Sequence, residues 1–387
     1  MSKANGSPEQ TNRQWMLLLA GFVFAGPIIT LIGIAFWPIR NQNSDKNSER
    51  ETAVAPEKTA VAKSDEPRIV DPPSPGLERL KDRGASLKFN EAGEWISLWG
   101  AILTDLDLQN LDHCHEKSTL ESVDLGIVFG AKITDNGIRH LSNLTNLKYL
   151  TFEGSHAGLS PDGLDVLSTL PQLESLTIGV KSNACLEKVG EAKSIRNLSV
   201  FGSKAITDSG LEGLAKLSQL TSLHLFSVTL NGDGIAHLRS LPLSELTLQS
   251  NNISAKSLRE LGSLRSLTGL NIDCNQVDDS CLPSIGKLLN LKRLSFGVDI
   301  DEKKMGGLLT DNGIKHLEKL EKLEVLSLTG HKAITDASLT RFAKMKKLRN
   351  LFTGGTSVTK NGAKSLKSWL PDCEITFGTS YLDLESL

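Results

Sequence analysis

A recurring phrase of leucines constrains the fold of this chain more than any other feature. Its clearest copy lies at 323–339 and reads L-E-V-L-S-L-T-G-H-K-A-I-T-D-A-S-L. The first half places Leu323, Leu326 and Leu328 in the pattern L-x-x-L-x-L, and the second half opens on I-T-D and closes on Leu339. Because one copy cannot cover its own apolar side, neighbouring copies must stack, and the phrase predicts a solenoid of repeats.

The copies follow one another from about residue 93 to the end of the chain. The first leucine-type position of each copy is Leu120, Leu147, Leu173, Ile195, Leu220, Leu243, Leu267, Leu291, Leu323 and Leu348. An earlier unit enters through Ile96 and Leu98, and a last partial one through Ile375 and Phe377. We therefore expect about eleven units and a closing strand. Only the unit after Ile178 clearly lacks the second half of the phrase.

Each half of the phrase predicts one type of secondary structure. In the first half, apolar residues alternate with polar ones, which is typical of a strand with one buried side. In the second half, Thr and Asp supply oxygens where a helix must begin, and the two apolar residues three apart form its inner side. Each unit is thus predicted to be a strand, a tight turn and a short helix.

The phrase L-x-x-L-x-L followed by I-T-D-x-G-L-x-x-L resembles the leucine-rich-repeat family, in particular its cysteine-containing and ribonuclease-inhibitor-like types. Membrane-anchored bacterial members look especially similar. The resemblance covers about residues 84 to 377. It implies an α/β solenoid, an open horseshoe with parallel strands on the concave side and short helices on the convex side. Family members commonly bind proteins, so it implies a protein partner, but no catalytic residue set.

The N-terminal region predicts a membrane anchor. A short polar tail, 1–14, precedes an uncharged apolar run, 15–37, which is about long enough to cross a hydrocarbon core of roughly 30 Å as one helix. Trp15 and Trp37 flank the run as interfacial anchors. A cleaved signal peptide is the alternative, but the run exceeds the usual length and no small-x-small site is obvious after it. With the N-terminus inside, this signal-anchor would hold the repeats on the extracytoplasmic side of the cell membrane.

The rest of the chain is divided by composition. Residues 38–75 are rich in Pro, Ser, Lys and Glu and poor in large apolar residues, so we expect a disordered linker. Residues 76–98 predict an N-terminal cap made of a helix, 76–83, and a hairpin, 86–98, with its turn at 90–93. The repeats with their closing strand then occupy 99–377, and 378–387 form a C-terminal tail.

The x positions of L-x-x-L-x-L are predicted to face the concave side, where a partner would bind. The innermost column is mostly hydroxylic and reads Ser97, Asp124, Thr151, Thr177, Ser199, His224, Thr247, Asn271, Ser295, Ser327, Phe352 and Thr376. The candidate binding residues on this face are Tyr149, Arg196, His224, Arg293, Arg349 and Phe352. The alternative is that the charged residues alternate across strands as a solvated ladder. An insertion at 297–307 predicts a loop at the strand-to-helix rim.

The cysteines and histidines do not form a recognisable chemical motif. The five cysteines are odd in number and irregularly spaced; Cys274 and Cys281 could pair, but Cys281 falls near a core helix position. His113-Cys114-His115 is a weak metal signal, because alternate residues on a strand point to opposite sides and no further ligand has zinc-like spacing. His140, His237 and His316 share one repeat position. We expect no catalytic residue, no metal and no cofactor.

Composition narrows the possible partners. The 43 basic and 45 acidic side chains give a net charge of -2, so no global charge favours nucleic acid, and aromatics are scarce at 5%. The favoured function is a membrane-anchored scaffold or receptor module for protein partners. A receptor for cell-wall glycan or another polymer is the alternative, through the hydroxylic column. A cytosolic substrate-receptor subunit similar to F-box leucine-rich-repeat proteins comes last, because no F-box-like segment precedes the repeats.

Overall fold

The protein is described from a computed structural model, which covers residues 74–90, 94–99, 103–125, 133–152, 159–249, 252–273, 277–297 and 308–377. These residues all belong to the second of two units of the chain, Asp71–Leu387. The predicted span 15–37, nearly all of the predicted linker and the tail 378–387 lie outside the described residues. Within them, no helix is long and apolar enough to cross a membrane.

The strands that the structure describes follow the repeat. They are β1 (Ser86–Phe89), β2 (Trp95–Trp99), β3 (Ser122–Asp124), β4 (Tyr149–Phe152), β5 (Ser175–Gly179), β6 (Asn197–Phe201), β7 (Ser222–Phe226), β8 (Thr229–Leu230), β9 (Glu245–Gln249), β10 (Asn252–Ile253), β11 (Gly269–Asp273), β12 (Arg293–Gly297), β13 (Val325–Ser327), β14 (Asn350–Phe352) and β15 (Glu374–Thr376).

Thirteen of these strands form one sheet, hereafter the main sheet, in chain order. β1 and β2 are antiparallel and form the predicted hairpin, and every later strand of the sheet is parallel to its neighbour. β8 and β10 form a separate parallel pair. Parallel neighbours need a crossover, which the second half of each repeat supplies.

The crossovers contain short helices. The α-helices are α1 (Pro75–Asp82), α2 (Asp105–Gln109), α3 (Asp135–Ile138), α4 (Asn183–Val189), α5 (Asp208–Leu214), α6 (Ala255–Glu260), α7 (Leu282–Ile285), α8 (Asp311–Ile314), α9 (Asp336–Phe342) and α10 (Lys360–Trp369). Segments of 3-10 helix lie at Asn110–His113, His115–Thr119, Arg139–Asn143, Asp162–Thr169, Gly234–Ser240, Leu261–Ser263 and Lys315–Leu317.

The leucines of the phrase lie between the main sheet and the helices. Leu323, Leu326, Leu328 and Ile334 are all fully buried, and the equivalent residues of the other repeats join them in one apolar core. Because every core position has neighbours from the adjacent repeats, the burial of one unit depends on the next. The strand and helix halves therefore occupy the two sides that the phrase predicts.

The Thr-Asp pair does more than begin a helix. As expected, Thr335 caps α9, since its hydroxyl accepts the N–H of Ala337 at 3.2 Å. The aspartate of the preceding repeat, Asp311, accepts the N–H of Thr335 at 2.9 Å and the Thr335 hydroxyl at 2.6 Å. This pairing of one repeat with the next, hereafter the Asp–Thr ladder, was not predicted from the sequence.

A small residue two positions after the aspartate makes room for the ladder. A Cβ added at Gly313 would overlap the carboxylate of Asp279, and one added at Gly137 would overlap that of Asp105. Ser338 occupies the same position in its repeat, where its hydroxyl donates to Asp311 at 2.5 Å. The close approach of the neighbouring carboxylate thus favours a glycine at this position of I-T-D-x-G-L, or a serine whose hydroxyl donates to that carboxylate.

One expectation about the repeats was wrong, and one unit departs from the phrase but keeps its helix. The unit after Ile178, which lacks the second half of the phrase, contains the helix α4, in which Asn183 takes the place of the ladder aspartate and accepts the N–H of Thr207 at 2.9 Å. The innermost column begins differently than predicted, because Ser97 pairs in register with Ser122 rather than with Asp124. The residue of β2 that pairs with Asp124 is Trp99, two positions further along the strand.

Candidate binding face of the main sheet

The candidate site is the side of the main sheet opposite the core, hereafter the sheet face. Its residues alternate with buried leucines and form three columns across the strands. The first column runs Tyr149, Ser175, Asn197, Ser222, Glu245, Gly269, Arg293, Val325, Asn350 and Glu374. The second runs Thr151, Thr177, Ser199, His224, Thr247, Asn271, Ser295, Ser327, Phe352 and Thr376, and the third includes Gly179, Phe201, Phe226 and Gln249.

The six sequence candidates lie along this face but do not form one cluster. Tyr149 and Arg293 belong to the first column, His224 and Phe352 to the second, and Arg196 and Arg349 directly precede β6 and β14. At about 4.8 Å per strand, β4 and β14 are roughly 40 Å apart along the sheet. A partner that contacts all six must therefore cover most of the sheet face.

Arg293 is held by an ion pair rather than presented freely. Its guanidinium donates to the Glu245 carboxylate at 2.5 Å, two strands away, and both side chains are about one-third exposed. The intervening position is Gly269, where an added Cβ would overlap the Glu245 carboxylate. Thr268 also donates its hydroxyl to Glu245, at 3.1 Å. The missing side chain at residue 269 allows Glu245 to reach Arg293.

Other charges at the edge of the sheet face are paired in the same way, as the charge-ladder alternative expects. Arg349 donates to Asp372 at 3.0 Å, and Lys148 donates to Glu121 at 2.8 Å. Arg196 differs, because it is exposed and has no side-chain partner among the described residues. Of the three arginine candidates, Arg196 is the one whose guanidinium is open to a ligand.

His224 contributes a neutral imidazole to the centre of the sheet face. Its Nε2 lies 3.0 Å from the Ser222 hydroxyl, on the same strand. Burial lowers the pKa of His224 to about 4, so the ring carries no charge at neutral pH. Its role on the sheet face is therefore hydrogen bonding rather than attraction of anions.

The aromatic residues of the sheet face include a pair that was not predicted. Tyr149 is 49% exposed and Phe352 is half-buried. In the third column, Phe201 and Phe226 stack with ring centroids 4.6 Å apart and planes 6° from parallel. The signal was present, since N-L-S-V-F and S-L-H-L-F end in phenylalanine at the same repeat position. It was missed because only positions within L-x-x-L-x-L were considered.

Half of the second column is buried. Thr177 and Ser199 are 4% exposed, Ser295 and Ser327 are 5% exposed, and Thr376 is 8% exposed, whereas the other five residues of the column are partly exposed. The surface that a ligand meets therefore consists of the first column, the partly exposed residues of the other two columns and the residues before each strand.

Comparison with known proteins was made by sequence and by structure. No family model matches this chain, and no curated protein matches it. Among solved structures, 380 chains match. An internalin, InlF of Listeria monocytogenes, is 18% identical with a TM-score of 0.46, and the alignment covers 79% of this chain and 98% of the internalin.

Two further matches are of the same kind. TLR13 in complex with ssRNA13 is 19% identical with a TM-score of 0.44, over 65% of this chain and 38% of TLR13. Internalin C2 of Listeria monocytogenes is 20% identical with a TM-score of 0.38, over 65% of this chain and 92% of the internalin. These proteins are leucine-rich-repeat proteins, the family that the repeat phrase resembles.

Two of the cysteines considered for metal or disulfide chemistry donate hydrogen bonds to nearby backbone carbonyls. The sequence placed His113 and Cys114 on a strand, but the structure does not. His113 ends a 3-10 helix, and the Cys114 thiol donates to the Asn110 carbonyl at 3.3 Å. Cys281 is a buried thiol that donates to the Asp278 carbonyl at 3.0 Å, whereas Cys274 lies outside the described residues. Within the described part of the chain, no group of three or more His, Cys, Asp or Glu side chains is placed to hold a metal ion.

Proposed function

We propose that this chain is a membrane-anchored interaction module whose sheet face binds a protein partner. The observation that carries the proposal is that each repeat places its leucines in the core and leaves other residues near the same strand exposed. Leu150 and Leu198 are buried in the core, while Tyr149 in β4 and Arg196, which directly precedes β6, are exposed. The exposed residues are not needed for the core, so they are available for recognition.

The chemistry of the accessible residues favours a protein over a glycan. Tyr and Arg are enriched among residues that dominate protein–protein binding energy, and Tyr149 and Arg196 are exposed. A polymer receptor was predicted to use the hydroxylic column, but half of that column, including Thr177 and Ser199, is buried. The accessible surface is therefore better suited to a protein partner.

A capture experiment tests the binding role. The full chain, purified in mild detergent, is cross-linked to envelope fractions, and recovered proteins are quantified at increasing partner concentration. We expect saturable capture that the double variant Tyr149→Ala with Arg196→Ala reduces about tenfold or more. Arg139→Ala is the matched control, because Arg139 is an exposed arginine on the helix side. Equal capture by the double variant, or no saturable capture by the native chain, contradicts the proposal.

The proposed anchor is the uncharged run 15–37, with the repeats on the extracytoplasmic side and residues 38–75 as the tether. A C-terminal fusion to a reporter enzyme tests this placement. Activity of a reporter that works only outside the cytoplasm is expected. Activity of one that works only in the cytoplasm contradicts the placement and favours the cytosolic substrate-receptor alternative.

A further inference from the structure

The stacked rings of Phe201 and Phe226 in the third column have a glycine, Gly179, as their neighbour on one side. The β5–β6 register places Gly179 beside Phe201, and the β6–β7 register places Phe201 beside Phe226. The ring centroids are 4.6 Å apart, close to the strand spacing of about 4.8 Å. A planar group held over Gly179 would therefore lie one further stacking distance from Phe201.

The other end of the stack is covered. Phe226 is 9% exposed, and its neighbour in register is Gln249, whose Oε1 is buried without a hydrogen-bond partner. Phe201 is more exposed than Phe226. Of the two stacked rings, Phe201 is therefore the more accessible, and its neighbour in register, Gly179, has no side chain to cover it.

Among the described residues, the strands β5, β6 and β7 are uncharged on the sheet face, and the residues just after β5 and β6 are positive. No residue with a charged side chain occupies the nine sheet-face positions of β5, β6 and β7, which are Ser175, Thr177, Gly179, Asn197, Ser199, Phe201, Ser222, His224 and Phe226. Lys181 and Lys204 follow β5 and β6, are exposed and have no ion-pair or hydrogen-bond partner among the described residues. No acidic residue occurs at 180–182 or 202–205.

We propose that Gly179 and Phe201 form a binding position for an aromatic side chain of an acidic peptide segment, whose carboxylates pair with Lys181 and Lys204. This inference rests on the proposed function, because it names the partner segment that the sheet face recognises. The aromatic ring continues the existing stack, which favours parallel or offset rings over a random apolar contact. The lysines supply the charge that an acidic segment complements.

An acidic peptide suits this position better than a nucleic acid. Nucleic-acid affinity depends on several phosphate contacts made together, and in the described chain two unpaired lysines, Lys181 and Lys204, follow the ends of β5 and β6. The net charge of -2 also provides no wider positive field. An oligonucleotide is nevertheless included as a probe, because a base can stack on an aromatic ring.

Fluorescence anisotropy on the full chain in mild detergent tests the ligand chemistry. The probes are the labelled peptide Glu-Asp-Gly-Trp-Gly-Asp-Glu, its Trp→Ala version, a version with every acidic residue replaced by Lys, and labelled oligothymidylate. We expect the acidic tryptophan peptide to bind at least about tenfold more tightly than each of the others. Failure of this peptide to bind at millimolar concentration, or tighter binding of any other probe, overturns the proposal.

Variants of the chain test the position itself. Gly179→Leu fills the stacking position, Phe201→Ala removes the ring, and the pair Lys181→Glu with Lys204→Glu reverses the charge; each should weaken the acidic peptide about tenfold. Phe201→Tyr should retain binding. Gly179 lies within a strand and outside the left-handed glycines of the described chain, so its backbone accepts leucine. An unchanged melting temperature confirms that the variants fold.

The matched control is Phe89→Ala, which removes a 39% exposed phenylalanine from the edge strand β1 and should leave peptide binding unchanged. Equal peptide binding by Gly179→Leu and the native chain overturns the proposal. A protein partner captured equally by Gly179→Leu and the native chain refutes this position but leaves the proposed function standing. If the native chain itself captures no protein in a saturable way, the proposed function is refuted instead.

Discussion

The carboxylate of Asp311 accepts the backbone N–H of Thr335, in the next repeat, at 2.9 Å. Equivalent pairs join other neighbouring repeats, namely Asp105 with Thr134, Asp135 with Ser160, Asn183 with Thr207, Asp279 with Thr310, and Asp336 with Thr359. Each bond holds the start of one helix segment against the repeat before it. The Asp–Thr ladder therefore adds polar, directional contacts to a stack whose core is almost entirely aliphatic.

Removal of Asp311 should destabilise the stack more than removal of an exposed carboxylate. Asp311→Ala leaves the N–H and hydroxyl of Thr335 and the hydroxyl of Ser338 without their acceptor. We expect a loss of about 2 kcal/mol in the free energy of unfolding, measured by urea denaturation. Asp311→Asn should cost less, because Asn183 fills the same role in its own repeat.

The control for this prediction is Asp162→Ala. Asp162 is exposed, and Pro161 takes the ladder position in its repeat, so this change should alter the free energy of unfolding by less than about 0.5 kcal/mol. Equal losses for Asp162→Ala and Asp311→Ala would show that the ladder contributes nothing specific.

Gly313 should tolerate serine better than alanine. A Cβ at this position overlaps the Asp279 carboxylate and must displace it from Thr310, so Gly313→Ala should cost about 1–3 kcal/mol of unfolding free energy. A serine can donate to the displaced carboxylate, as Ser338 does to Asp311. Thermal unfolding of the two variants provides the comparison, and a Gly313→Ser variant less stable than Gly313→Ala would contradict this explanation.

The ladder should make stability sensitive to acid. Burial alone would raise the pKa of Asp311, but hydrogen bonds from Ser338 and Thr335 outweigh it and hold the pKa below its ordinary value. A carboxyl group whose pKa is lower in the folded state stabilises the fold fully above its unfolded pKa, near 3.9. That contribution falls as the pH drops below this value and is gone below the folded pKa.

The measurement is the free energy of unfolding between pH 7 and pH 2.5. We expect the native chain to lose stability below about pH 4, and Asp311→Asn to lose less over the same interval, because it has no proton to take up at this position. A parallel pH dependence for the two proteins would mean that Asp311 has the same pKa folded and unfolded.

The repeat architecture could be predicted because its signal is local. Leu323, Leu326 and Leu328 specify a strand within six residues, and the other copies of the phrase specify their strands in the same way, so the order of the parallel strands follows the order of the copies along the chain. The phrase does not mark helix α4, because Ser182 and Asn183 replace the Thr-Asp pair while preserving its oxygens. Pattern matching compares residue types, whereas the fold requires only the hydrogen-bonding groups.

The candidate site was harder to predict from the sequence than the fold, because its properties depend on contacts between repeats. The exposure of Tyr149 follows from its own strand position. By contrast, the stacking of Phe201 on Phe226 requires both rings to lie in the same register. The burial of Thr177 and Ser199 also does not follow from strand alternation, which places them on the same side of the sheet as the exposed Tyr149.

The ion pair of Glu245 and Arg293 illustrates this dependence and gives a last prediction. The two residues lie on β9 and β12, and they meet because Gly269 on β11 leaves the space between them free. Both side chains are about one-third exposed, so their coupling energy should stay below about 1 kcal/mol and should weaken in high salt. A double-mutant cycle with Glu245→Gln and Arg293→Gln measures this coupling from unfolding free energies.

The same cycle in a Gly269→Ala background tests the role of the glycine. The added methyl group overlaps the position of the Glu245 carboxylate, so the coupling should fall to zero while the core leucine beside it, Leu270, stays buried. Thr268→Val is the matched control, because it removes the hydrogen bonds of the Thr268 hydroxyl to Glu245, at 3.1 Å, and to the Ser244 carbonyl, at 3.2 Å, and leaves the path to Arg293 open. Coupling that persists with alanine at residue 269 would show that Glu245 reaches Arg293 by another route, and that the glycine has no part in keeping this arginine from a ligand.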